Sequence, residues 1–108
     1  GVPVIFSSGN DGKEILPNEI EASISQAIVV GAGDVNNQPM SYSNFGASID
    51  AVMYGGRTIT AHPNRSFGYF SGTSLAAAIA TGYAALLLAE DLSLTRDQVE
   101  RQLQALHH

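Results

Sequence analysis

The sequence predicts an α/β fold: part of a three-layer αβα arrangement with a mostly parallel sheet, a hairpin towards its C-terminal end and a buried helix. Three apolar runs, at 2–6, 27–31 and 49–53, the last of which contains Asp50, are typical of strands that are covered on both faces. The segment 75–90 is long and almost wholly apolar, which indicates a buried helix. Strands and helices whose apolar faces must be buried against other elements favour layered α/β packing.

The strands follow one another with clear turn signals between them. The run at 2–6 stops at SSGNDG, a dense cluster of turn formers, and a polar, loop-like segment continues to about Glu21. After the strand at 27–31 we expect a loop at 34–43 with a turn at Asn36-Asn37, and then the third apolar run. Two more strands, at 58–61 and 67–70, are expected around a Pro63-Asn64-Arg65 turn.

Two helices complete the expected order. The apolar helix that follows Ser74 should be buried on most sides. Thr95-Arg96-Asp97-Gln98 has the form of a capping box, in which the side chains of Thr95 and Gln98 each satisfy a backbone amide at a helix start. Val99, Leu103 and Leu106 share one face of that last helix. No internal repeat or linker interrupts the sequence, so we expect the whole of 1–108 to belong to one domain.

Composition excludes several kinds of partner and chemistry. The net charge is -5, and the five Lys and Arg residues are scattered, so nucleic acid and anionic membrane surfaces are not expected as partners. The apolar helix is short for a membrane span. There is no cysteine, which rules out disulfides, thiol catalysis and thiolate metal sites. His107 and His108 are assigned no function.

The most specific motif is SGTSLAA at 71–77. A serine that follows a glycine turn and opens a helix has an accessible hydroxyl, and the amides at the helix start, with the dipole behind them, stabilise negative charge. The motif predicts that Ser74 is a nucleophile. Taken alone, however, such a serine is more often a helix cap than a catalyst.

Several landmarks in order resemble the subtilisin-like serine proteases. SGTSLAA is similar to that family's SGTSMAAPH nucleophile signature, and VIFSSGNDG to its buried strand ending in A-A-G-N-E/D-G. Between them, AIVVGAGDVNNQPMSYSNFG resembles the family's VIAVGA-D-…-ASFSN-G stretch, and IDAVMYGG its LDVMAPG. LTRDQVERQL resembles its final helix. The resemblance runs from about Val2 to Leu106.

This resemblance implies a function and a set of site residues. The complete domain would be an endopeptidase acting on peptides or proteins, and secreted, with Ser74 as nucleophile and Asn10 as oxyanion donor. Ser7, Ser8, Gly9, Gly72 and Thr73 would bind substrate. The catalytic Asp and His of the family lie upstream of the asparagine, so we expect this chain to be the C-terminal half of the domain, inactive alone and prone to self-association. No cofactor is required for the chemistry.

The sequence departs from the family at two places. Ala78-Ile79 replaces the family's Pro-His, which removes a residue suited to the first helical turn. Ile20-Glu21-Ala22-Ser23 replaces its usual Tyr-Pro pattern. Asp50 matches a position that some members use for a cation, but one carboxylate is not a site, so a structural calcium ion is not supported by this chain and no metal ligand is assigned.

Two other interpretations stay open. A non-catalytic subtilisin-like scaffold or binding domain would account for the departures and for the missing acid and base. A general α/β hydrolase is less favoured, because Ser74 lacks the G-x-S-x-G elbow. His62, the one internal histidine, is expected to be a solvated loop residue.

Overall fold

A parallel three-stranded sheet forms the centre of the molecule. The computed structural model describes residues 3–16, 26–36 and 38–106. The strands β1 (Val4–Ser7), β2 (Ala27–Gly33) and β3 (Ala51–Tyr54) lie in the order β1-β2-β3, and both pairings are parallel. All seven residues of β2 are buried. The prediction of parallel strands from the three apolar runs is therefore confirmed, but only β2 is buried along its whole length: no residue of β1 is buried, and β3 alternates between buried and partly buried residues.

A separate two-stranded hairpin follows the sheet. Its strands β4 (Thr58–His62) and β5 (Ser66–Phe70) pair antiparallel, with His62 opposite Ser66. The turn between them places Asn64 at φ 65° and Arg65 at φ 59°, which confirms the expected turn. The chain enters the first helix almost directly after β5, so the hairpin leads straight into the segment that carries the SGTS motif.

Both helices pack against the same face of the sheet. Helix α1 spans Thr73–Glu90 and α2 spans Arg96–Gln104. The predicted capping box is present: Thr95 Oγ1 accepts a hydrogen bond from the Gln98 amide at 3.2 Å, and Gln98 Oε1 accepts one from the Thr95 amide at 2.8 Å. One core joins the sheet to both helices; its buried members are Ile28, Val30, Ala32, Ala51, Met53, Ala76, Ala80, Ala84, Val99 and Leu103. The described residues thus supply two of the three expected layers.

A salt-bridge cluster fixes α2 to the sheet. Arg96 donates to Asp50 Oδ2 at 3.3 Å, to Asp97 Oδ1 at 3.1 Å and to Glu100, and it also reaches the carbonyl oxygen of Ala27. Asp50 Oδ2 accepts a further bond from the Val29 amide at 2.8 Å. Because these partners come from β2, from the residue that precedes β3 and from α2, the cluster sets the position of the last helix.

The expectation that α1 is buried on most sides is wrong for this chain by itself. Only a narrow stripe is buried, made of Thr73, Ala76, Ala80 and Ala84, whereas Leu86 is 66% exposed. By length and composition alone α1 could cross a membrane, and 22% of its apolar window is buried among the described residues. An unbroken apolar pattern indicates that a helix is buried, but it does not indicate which element buries each side. The pattern therefore could not show that one side of α1 is exposed among the described residues.

Some expectations lie outside the described residues. These are the end of the polar loop and the Ile20-Glu21-Ala22-Ser23 segment, the second residue of the Asn36-Asn37 turn, and His107-His108. The first part of that turn is described, and Asp34 Oδ1 there accepts hydrogen bonds from the amides of Asn36 at 2.8 Å and Gln38 at 3.0 Å.

Candidate active site

The predicted site residues meet where the turn after β1 reaches the start of α1. The turn begins at Ser8 and contains Gly9 and Asn10, directly after the last residue of β1. The start of α1 contains Gly72, Thr73 and Ser74. These segments are more than 60 residues apart in the sequence, and the fold brings them into hydrogen-bonding contact.

Glycine is required where α1 begins. Gly72 is the N-cap residue, with φ 142° and ψ 170°, a backbone conformation that residues with a Cβ rarely adopt. Because the N-cap residue is glycine, it makes no side-chain hydrogen bond to the helix. Ser74 is the second helical residue and is exposed, and its hydroxyl makes no hydrogen bond to the described part of the chain. Ser74 therefore does not cap α1, and its hydroxyl is left available for chemistry.

The side chain of Asn10 accepts the hydrogen bond from the first helical amide that a local cap residue would otherwise accept. Its Oδ1 accepts hydrogen bonds from the Thr73 amide at 2.9 Å and from Thr73 Oγ1 at 2.7 Å. Thr73 is 1% exposed, and its Oγ1 also accepts a bond from the Gly9 amide at 3.2 Å. Thr73, the residue before Ser74, thus joins the start of α1 to the turn after β1 through hydrogen bonds.

This arrangement leaves two hydrogen-bond donors beside Ser74. Because Asn10 Oδ1 points at Thr73, the Nδ2 amide is the remaining polar group of that side chain, and it makes no hydrogen bond to the described residues. The Ser74 amide lies in the first turn of α1, where amides have no intrahelical partner. The positive end of the helix dipole acts at the same place. The site is therefore suited to hold a developing negative charge.

The predicted substrate-binding residues differ in how accessible they are. Ser7 ends β1 and is partly buried. Ser8 is 2% exposed. Its amide donates to the Val30 carbonyl at 2.9 Å, and its hydroxyl lies 3.5 Å from Ser43 Oγ and donates to the Asn44 carbonyl at 3.4 Å. The side chain of Ser8 therefore faces the interior, whereas the backbone on either side of it is more accessible.

Asn44 is a site-building residue that sequence reasoning missed. It is 5% exposed. Its Oδ1 accepts from the amides of Asp11 at 3.0 Å and Lys13 at 3.1 Å, and its Nδ2 donates to the Ser8 carbonyl at 2.8 Å. A buried asparagine with both ends of its amide bonded to one turn fixes the shape of that turn. Its place in the SYSNFG segment, which resembles a family motif, could have marked it as a site residue. Its hydrogen-bond partners lie more than 30 residues away in the sequence, so the sequence did not indicate them.

No described residue serves as a base for Ser74. His62 is the last residue of β4, where its Nε2 lies 3.3 Å from Thr60 Oγ1 and its ring lies against Gly68. Asp50 does not fit a cation site, because the Arg96 guanidinium already pairs with its carboxylate. Within the described ranges no cluster of three or more His, Asp or Glu side chains could hold a metal ion.

Comparison with known proteins gives a consistent family. The Subtilase family model matches residues 1–106. The chain is 33% identical over 103 residues to subtilisin BL from Lederbergia lenta, covering 95% of this chain and 38% of that protein. It is also 33% identical over 103 residues to the M-protease of Shouchella clausii (strain KSM-K16), covering 95% of this chain and 27% of that protein.

Solved structures agree with the sequence relatives. A prenylagaramide maturation protease superimposes with a TM-score of 0.79 and 33% identity, covering 93% of this chain and 38% of that one. A cold adapted subtilisin-like serine proteinase superimposes with a TM-score of 0.78 and 28% identity, covering 92% and 36% of the two chains. The chain therefore spans well under half the length of the proteins that it matches.

Proposed function

This chain belongs to the Subtilase family, and on that premise we propose that it carries the nucleophile and the oxyanion donors of a serine endopeptidase. The proposed substrates are peptides and proteins. The proposed domain is longer than this chain: its catalytic histidine and aspartate would come from sequence upstream of Asn10. The family resemblance also favours an extracellular protein.

One observation carries the proposal. The Asn10 carboxamide binds the start of α1 through Thr73, at 2.9 Å and 2.7 Å, while the neighbouring Ser74 hydroxyl is exposed and has no structural task among the described residues. A structural serine at a helix start normally accepts a hydrogen bond from a helix amide. An unengaged serine hydroxyl, at a helix start that is held by a remote carboxamide, fits nucleophilic acyl chemistry in which a base from elsewhere in the domain activates the serine.

The proposed reaction proceeds in two stages. The Ser74 hydroxyl attacks the scissile carbonyl carbon while the histidine takes its proton, and the carbonyl oxygen becomes an oxyanion that accepts hydrogen bonds from Asn10 Nδ2 and the Ser74 amide. The histidine then gives the proton to the leaving amine, and an acyl-enzyme remains on Ser74. Water, activated by the same histidine, releases the acid and restores the hydroxyl.

The proposed substrate contacts come from the two segments that frame Ser74. Ser7 and Gly9 flank the interior Ser8 in one segment, and Gly72 and Thr73 precede the nucleophile in the other. We propose that the backbone of the first segment pairs with the substrate and lines its primary pocket, with Ser8 supporting it from inside. No cofactor takes part in this scheme.

Active-site labelling of the full-length protein tests the proposal. We expect a fluorophosphonate probe to react stoichiometrically, with the adduct located on Ser74 by mass spectrometry, and the protein to cleave casein. Ser74→Ala should abolish the labelling and lower kcat by on the order of 10⁶-fold. A folded full-length protein that neither reacts with the probe nor cleaves casein would support the non-catalytic scaffold instead.

The 108-residue chain by itself should behave differently. We expect less than stoichiometric labelling of Ser74, because a serine hydroxyl without an adjacent base is a weak nucleophile. We also expect self-association, since β1 has an open outer edge in the described sheet and α1 exposes Tyr83 and Leu86. Probe labelling and light scattering measure the two effects. Stoichiometric labelling, or a monomer with a high Tm, would contradict these expectations.

A further inference from the structure

Tyr42 makes a hydrogen bond that the proposed chemistry does not use. Its side chain is partly buried and packs against the core, and its hydroxyl donates to the carbonyl oxygen of Gly55 at 2.5 Å. The same carbonyl oxygen accepts a bond from the Gly72 amide at 3.0 Å. One backbone oxygen thus joins the Tyr42 hydroxyl to the glycine that begins α1, two residues before Ser74.

The junction around Gly55 is tightly packed. A Cβ atom at this position would lie 2.4 Å from Ala32 Cβ and 2.9 Å from both the Gly72 carbonyl oxygen and the Tyr42 hydroxyl oxygen. Real Cβ atoms do not approach other atoms so closely, so Gly55 must be glycine here. Because no space is left, the Gly55 carbonyl cannot shift without moving either Tyr42 or the start of the helix.

We propose that Tyr42 is a positioning residue for Ser74: its hydroxyl holds the Gly55 carbonyl in place, and that carbonyl holds Gly72. The inference rests on the proposed function of Ser74. Helix α1 has no side-chain cap and has Ala78 where the related signature has proline, so its start depends on contacts from elsewhere.

The protonation of Tyr42 favours this role. Burial raises the pKa of its hydroxyl above the usual value, an effect that the nearby Gly72 amide opposes and the nearby Tyr54 reinforces. The neutral form, which can donate to a carbonyl, is therefore kept to higher pH than in an exposed tyrosine. The positioning bond persists into the alkaline range.

The test compares two tyrosines in the full-length protein. Tyr42→Phe removes only the hydroxyl. Tyr54→Phe is the matched control, because the Tyr54 hydroxyl donates to the Arg57 carbonyl at 3.3 Å, outside the Gly55 junction. We expect Tyr42→Phe to lower kcat on a short chromogenic peptide and the rate of fluorophosphonate labelling together, by about 3- to 10-fold, the loss expected for one hydrogen bond. KM should change by less than about twofold, and Tyr54→Phe should match the wild type.

Rates are normalised to folded protein recovered from size-exclusion chromatography, so that a loss of stability does not count as a loss of positioning. Equal kcat and labelling rates in Tyr42→Phe and wild type, or a change in Tm alone, would overturn the inference while the proposed function stands. A wild type that neither hydrolyses the peptide nor reacts with the probe would overturn the proposed function, and this inference with it.

Discussion

The two helices of this chain begin in opposite ways. At α2 the cap is local: Thr95 and Gln98 exchange hydrogen bonds three residues apart, and Arg96 pairs with acidic neighbours. At α1 no side chain within the helix start acts as a cap, and the amide of Thr73 is satisfied by Asn10 from the far side of the fold. The start of α2 is capped by residues next to it in the sequence, whereas the start of α1 is bonded by a residue that is distant in the sequence.

The difference fits the roles proposed for the two helix starts. A capping box uses up the amides of the first turn and stabilises the helix. A remote carboxamide that binds only Thr73 leaves the Ser74 amide and its own Nδ2 group available, at the positive end of the helix dipole. An uncapped helix start is thus less stable locally, but it retains the donors that an oxyanion needs. Substitutions at the two helix starts test this contrast.

The largest effect is expected at Asn10. In the full-length protein, Asn10→Leu should lower kcat by about 10²–10³-fold, or ~3 kcal/mol, with little change in KM, because an oxyanion donor acts on the transition state far more than on bound substrate. Steady-state kinetics on a short peptide measures both constants. Asn10→Asp is the control that keeps an acceptor for Thr73 while removing the donor, so its kcat should fall as well. A lower Tm with unchanged kcat would reduce Asn10 to a turn residue.

A smaller effect on both activity and stability is expected at Thr73. Thr73→Val keeps the shape of this buried side chain but removes the hydroxyl that donates to Asn10 and accepts from Gly9. Loss of a buried hydrogen-bonding group costs about 1–3 kcal/mol, and a displaced Asn10 should also reduce kcat. Thr73→Ser, which retains the hydroxyl, should recover most of the loss. Denaturant unfolding and peptide kinetics separate the two effects, and a Thr73→Val variant equal to the wild type in both would break the proposed link.

The smallest effect is expected at the closed helix start. Thr95→Ala removes the cap and should lower the free energy of unfolding by about 1 kcal/mol, with kcat and KM of the full-length protein unchanged. Thr95→Ser should be close to the wild type, because it keeps the capping oxygen. If Thr95→Ala lowered kcat as Asn10→Leu does, the two helix starts would not be functionally distinct.

The local features of the fold were predictable and the distant ones were not. Apolar runs marked the strands, and Thr95 and Gln98 marked the α2 start, because those signals lie within a few residues of one another. The Asn44 contacts, the Arg96–Asp50 pair and the Tyr42–Gly55 bond each join residues 13 to 46 positions apart. Side-chain type alone does not indicate such partners.

The site itself shows the same division. The SGTS motif predicted where Ser74 would lie, and the resemblance suggested Asn10, but the route between them through the buried Thr73 hydroxyl required the structure. The exposed flank of α1 was missed for the opposite reason. Its composition predicted burial on most sides, whereas the described residues cover only the stripe of small side chains that faces the sheet.

The distance along the chain between Asn10 and Thr73 has a consequence for folding. Their hydrogen bond closes a separation of 63 residues, and contacts between residues so far apart form late, because the chain must first lose the entropy of the intervening loop. Helix α1 can form earlier from its own sequence, with Ser74 at its start and no carboxamide nearby. The proposed oxyanion donors would therefore be assembled only when the chain reaches its native topology, so a newly made or partly unfolded molecule of the proposed enzyme would lack this part of the site.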